Sequence, residues 1–167
     1  GYLKKYSATV APLRRIKCTG PVSYAGHEAL QTDIANLKAA VAGKEVTEVF
    51  MPSSTPSAYG RNEFYASEDE FLEAVANAMR EEYLAIVDAG FILQIDDPGL
   101  IDTLGDPAKP LEERHQEANE AIDTLNHAIR DIPSEKIRHH TCYGLNHGPR
   151  LTDINLRDAV PFMMRIN

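Results

Sequence analysis

Residues 138–149, RHHTCYGLNHGP, hold three of the chain's six histidines and one of its two cysteines. Imidazole nitrogen and thiolate sulfur are both donors that Zn²⁺ accepts, and either group can serve as a nucleophile or base. The segment therefore reads as a metal or catalytic site, or else as a polar loop that follows a strand. In an extended strand, side chains alternate between faces, so His140 and Cys142 point the same way and Thr141 points oppositely. An H-x-C pair at a strand end brings a nitrogen and a sulfur within reach of one ion. The competing reading is a partly buried thiol beside a solvent-facing histidine. His139 is expected to face a helix layer, and His147, in H-G-P, to reach back to a pocket or simply turn the chain.

A second set of polar residues has the same alternation. In FILQID (91–96), Ile92, Gln94 and Asp96 share one face, Phe91, Leu93 and Ile95 share the other, and polarity rises toward the C-terminal end. Ligands of α/β proteins bind at the carboxyl ends of the strands, which places Asp96, His140 and Cys142 around one pocket. Asp96 is then a charged anchor for a substrate amine or an acid–base group. The pair Asp96-Asp97 before Pro98-Gly99 equally allows a purely local role in the turn.

These residues need a scaffold, and strand-like and helix-like patterns alternate along the chain as in βαβ units with a parallel sheet. RIKCTG (15–20) reads as a strand ended by Gly20-Pro21. Residues 27–43 read as a helix with Ala29, Leu30, Ile34, Leu37 and Val41 at helical spacing and Gly43 as its stop. EVTEVFM (45–51) is the second strand, followed by a loop, PSSTPSAYGRNEFYAS. The S-E-D-E at Ser67 is a capping box for a helix reaching about Gly90, with Phe71, Val75, Met79, Tyr83, Ile86 and Val87 on its apolar face. The 91–96 strand, a loop, a helix within 106–132 bearing Ala118, Ile122, Leu125 and Ile129, and a strand over 136–142 follow. A last helix begins in LRDAVPFMMRIN, disturbed by Pro161. The turn Gly20-Pro21-Val22-Ser23-Tyr24 is placed to line a pocket but lacks the glycine spacing of a phosphate cradle. Cys18 reads as a small core residue, His27 and His115 as helix-start or surface residues, and His127 as a helical residue with no evident partner.

Composition narrows the function classes. At 167 residues, 43% hydrophobic and 25% charged, the chain is long enough for one globular domain with a real core. A net charge of −8 disfavours nucleic-acid or anionic-membrane partners, because the field repels phosphates. No apolar run approaches the roughly 20 residues that cross a bilayer, and GYLKKYSATV has neither the apolar core nor the cleavage site of a signal peptide. The expectation is a cytoplasmic protein with Cys18 and Cys142 as reduced thiols.

Three segments, CTGPVSY (18–24), DAGFILQIDDPGL (88–100) and HHTCYG (139–144), together resemble the catalytic domain of cobalamin-independent methionine synthase. The closer resemblance is to its short single-domain relatives, which include enzymes transferring alkyl groups to or from thiols. It extends over nearly the whole chain, through REEYLAIVDAGF and the H-G-P turn. The resemblance implies a (β/α)8 TIM barrel with catalytic Zn²⁺ near the C-terminal strand ends. It implies His140 and Cys142 as the first two zinc ligands and Asp96 as the carboxylate that binds the amino group of homocysteine. The implied reaction is methyl transfer from methyl-tetrahydrofolate to that thiol, giving methionine, with zinc holding the thiol as thiolate. Asp97 stands where the methionine synthases have Glu. The family's remaining ligands, a Glu and a second Cys, lie on later strands, and an N-terminal segment supplies further substrate contacts. Residues 1–167 are accordingly expected to form about half a barrel, a single domain incomplete at both ends, with an incomplete Zn²⁺ site and no activity alone. Two alternatives accompany this expectation: alkyl transfer with another thiol cofactor, or a non-catalytic half-barrel that self-associates through exposed edges.

Overall fold

The computed structural model describes residues 16–56, 60–142 and 153–167. Tyr143, Gly144 and His147 with its H-G-P turn lie outside the described residues. The elements run β1 (Lys17–Cys18), α1 (His27–Val41), β2 (Phe50–Ser54), β3 (Arg61–Asn62), α2 (Glu68–Asp88), β4 (Ile92–Asp97), α3 (Gly99–Gly105), α4 (Leu111–Ile129), β5 (Ile137–Thr141) and α5 (Leu156–Met163). A 3₁₀ turn, Ser134–Lys136, leads into β5.

Local sequence explains the longest helix. The Ser67 hydroxyl accepts from the Glu70 N–H at 3.1 Å, while Glu70 Oε2 accepts from the Ala66 N–H at 3.2 Å. Two otherwise unpaired groups at the start of α2 are thereby satisfied, and three acidic residues in the first turn face the positive end of the helix dipole. Phe71, Val75, Met79, Tyr83 and Ile86 then recur on one buried stripe. Past its end, Gly90 takes φ +93°, a left-handed conformation that turns the chain directly into β4.

The central sheet is parallel, in the order β2-β4-β5, with Ser54 opposite Asp96 and Asp96 opposite His140. Alternation divides it into two faces. Met51, Ser53, Leu93, Ile95 and Asp97 are buried, and Ile137, His139 and Thr141 lie half-buried on the same side. That side joins α1, α2 and α4 in the main core, where Leu93 and Ile95 are fully enclosed, each contributing about 2 kcal/mol by burial. The opposite face carries Phe50, Ile92, Gln94, Asp96, Arg138 and His140, all half-buried or exposed. A second cluster, Leu100, Ile101, Leu104, Ala118, Ile122 and Ala159, fastens α3 and α5 to α4.

The α/β class with parallel strands and interleaved helices is therefore as expected, and several details differ. The second strand is Phe50–Ser54 rather than 45–51, so three of its five residues fall in the stretch read as a loop. Val49 O accepts from Ile92 N and Thr55 N donates to Asp96 O, so the odd-numbered residues direct their backbone groups toward β4. Pro52, in the even set, has its missing N–H on the side away from β4, where no ladder bond is lost. Helix α3 replaces the loop expected after Pro98-Gly99, for a reason given below. β1 does not join β2. It pairs with β3 in a separate two-stranded parallel sheet, Lys17 opposite Arg61 and Cys18 opposite Asn62. Among the described residues the strands do not close into a barrel. Pro161 is accommodated inside α5, which continues to Met163.

Candidate functional site

The open face of the central sheet carries Asp96 and His140, two of the residues that sequence spacing had aligned. Asp96 and His140 are paired across adjacent parallel strands, and both lie on the face away from the helices. Gln94, one position back on that face, donates from Nε2 to Asp96 Oδ1 at 2.7 Å. The Asp96 carboxylate is thus oriented by its own strand, and its Oδ2 has no hydrogen-bond partner among the described residues. Cys142 follows β5 immediately; continued alternation puts it on the His140 face, half-buried and unbridged. Lower on the same face, the Arg138 guanidinium sits 4.3 Å from the centre of the Phe50 ring, a cation–π contact reaching across β4.

The turn that follows β4 separates the two neighbouring aspartates. Asp97 Oδ1 accepts from the backbone N–H groups of Gly99 and Leu100, both at 3.1 Å, and so caps α3. Its Oδ2 lies 3.3 Å from His139 Nε2, with both side chains largely buried. The turn chemistry that sequence allowed at Asp96-Asp97 is performed by Asp97, and Asp96 is left facing the open side. This is also the physical account of an acidic residue at position 97: one carboxylate ties the end of β4 to α3 and to β5. As expected, His139 faces the helix layer. Its Nδ1, like Thr141 Oγ1, is buried without a hydrogen-bond partner among the described residues.

The other histidines are apart from this face. His27 lies 3.5 Å from Glu81 and edge-on to Tyr24, and His115 rests against Phe162. His127, for which the sequence offered no partner, is 3.3 Å from Asn77 Oδ1 across the α2–α4 contact. Cys18 is half-buried against the core, its thiol 3.1 Å from Gly20 O.

One polar group was not foreseen from the sequence. Glu82 Oε1 accepts from Ser53 Oγ at 2.5 Å, and the Tyr24 hydroxyl is hydrogen-bonded to the same carboxylate. Burial, together with the Glu82 charge, pushes the Tyr24 phenol well above its ordinary range. The available signal was the helical spacing Phe71, Val75, Met79, Glu82, which continues the apolar stripe of α2 into a carboxylate.

The donor set on the open face suits zinc in kind, with one imidazole, one thiol and a nearby carboxylate. Among the described residues no three or more His, Cys, Asp or Glu side chains are grouped closely enough to hold an ion. No described helix is long and apolar enough to cross a membrane. Comparison of the chain with protein-family models, with curated proteins and with solved structures gives no match.

Proposed function

We propose that the open face of β4 and β5 belongs to a zinc-dependent enzyme that methylates a small thiol, with homocysteine as acceptor and methyl-tetrahydrofolate as donor. The observation that supports this reading most is the direct pairing of Asp96 with His140 on the sheet face turned away from the described helices, with Cys142 two residues beyond His140. His140 and Cys142 are two of the metal's ligands. Zinc, when bound, would keep the acceptor's sulfur in its nucleophilic thiolate form near neutral pH. Asp96 holds the acceptor's ammonium group through Oδ2, while Gln94 fixes the carboxylate by occupying Oδ1. Asp97 and His139 touch neither substrate nor metal; they hold the ends of β4 and β5 in register.

The test is thiol methylation by a polypeptide spanning the whole reading frame in which these residues occur. Methionine should form from homocysteine and methyl-tetrahydrofolate, His140→Ala and Cys142→Ser should abolish it, and Asp96→Asn should raise KM for homocysteine. Absence of alkylation of any thiol by any donor would contradict the proposal. Alkylation of a different thiol would keep the zinc chemistry and change the substrate.

A further inference from the structure

A cleft of about 410 Å³ opens between β1, the turn after it and α2, with no residue of β4 or β5 in its lining. Its long wall is the stripe Phe71, Val75, Met79 on successive turns of α2, faced by Cys18 and Val22. This wall is apolar, and the volume falls at the small end of the range for small-molecule sites. The stripe ends in Glu82, so the cleft has a carboxylate at one end of its apolar wall.

Among the described residues the hydrogen bonds to Glu82 come from neutral groups. Ser53 and Tyr24 each give it a neutral O–H, whereas a carboxylate can accept roughly four hydrogen bonds. No cation pairs with it among the described residues. Lys17, the lysine on the cleft wall, is turned to Glu63 at 2.6 Å. A cation seated in the cleft would meet this carboxylate as an opposite charge beside the apolar wall. An anion would meet Glu82 itself.

We infer that this cleft binds a small organic cation, an apolar body lying along Phe71, Val75 and Met79 with its ammonium group against Glu82. The site is independent of the proposed methyl transfer, because it shares no residue with the open sheet face. The competing role for Glu82 is a purely structural latch joining α2 to β2 and to the turn before α1. A glutamine in its place would still accept both hydrogen bonds, so Glu82→Gln separates the latch from the charge.

The experiment uses the chain with three probes of one shape and different charge: 2-phenylethylammonium, 2-phenylethanol and 3-phenylpropanoate. Binding is read by amide chemical-shift changes and by protection of Cys18 from iodoacetamide, with Cys142 as internal control. The ammonium probe is expected to saturate, to shift resonances around Val75 and Met79, and to slow alkylation of Cys18 but not of Cys142. It should bind about tenfold more tightly than the alcohol, and Glu82→Gln should erase that advantage while leaving alcohol binding unchanged. Ammonium affinity equal to that of the propanoate in the wild-type chain would overturn the inference, as would failure to saturate at millimolar concentration. So would unchanged ammonium affinity in a folded Glu82→Gln variant. The wild-type comparison of cation with anion stands even where the variant does not fold.

Discussion

Two faces of the same pair of strands have opposite characters. Toward the helices, β4 and β5 present Leu93, Ile95, Asp97 and His139, and the carboxylate there holds other elements: Asp97 caps α3 and meets His139. Away from the helices the same strands present Gln94, Asp96, Arg138 and His140; among the described residues Gln94 donates to Asp96 and Arg138 rests on the Phe50 ring. The difference teaches that neighbouring residues of one type need not share a role. Asp96 and Asp97 are adjacent in sequence, yet Asp97 ties β4 to α3 and β5 while Asp96 lies on the opposite face with Gln94.

The contrast is sharpest in stability. Leu93→Ala, at a fully enclosed position, should cost about 2–5 kcal/mol in urea unfolding, whereas Gln94→Ala on the other face should stay within about 0.5 kcal/mol. Equal losses would show that the open face is packed in solution. A somewhat smaller difference separates the two aspartates. Asp97→Ala removes the cap of α3 and leaves His139 without its partner, so a loss of about 2–4 kcal/mol is expected, against about 0.5 kcal/mol for Asp96→Ala. Thermal denaturation of the two variants side by side decides this, and a reversal of their order would transfer the turn to Asp96.

Two smaller effects test the helix side alone. Ser67→Ala should lower stability by about 1 kcal/mol through loss of the α2 cap, measurable as a shifted urea midpoint at unchanged slope. The Tyr24 phenol has its folded pKa raised by burial and by Glu82. Its contribution is therefore complete below the ordinary phenol value near 10 and declines as pH rises above it, because only the unfolded chain then loses the proton. Tyr24→Phe should remove that part of the alkaline decline; a stability profile above pH 9 that is the same for both proteins would contradict the burial of this hydroxyl beside a charge.

How much of this was legible in the sequence depends on the range of the determining interaction. Helix α2 was readable because its cap, first-turn charges and apolar stripe all lie within one segment. The two-residue alternation placed Asp96 with Gln94 and His140 away from His139, because side-chain direction in a strand is local. The start of β2 was not readable. Pro52 and Ser53 argue for a loop, and they are tolerated because of neighbours distant in sequence: β4 lies on only one side, and Glu82 accepts from Ser53. The same holds for α3, whose apolar spacing at Leu100, Ile101 and Leu104 is short, and whose start is set by the Asp97 side chain. Which aspartate would serve the turn could not be read from Asp-Asp-Pro-Gly, since it follows from the register of β4 against β5. The pairing of β1 with β3 is likewise a long-range choice that alternation alone does not specify.

The claim on which the functional reading rests is that His140 and Cys142 can bind one metal ion together while His139 cannot. Its most direct test is a zinc titration followed by the ring resonances of the histidines in the wild-type chain and in Cys142→Ser. The account predicts a selective shift of the His140 ring with zinc, weak because only two ligands come from these strands, and lost in Cys142→Ser. A His140 ring that is indifferent to zinc, or one that responds equally without Cys142, would contradict it.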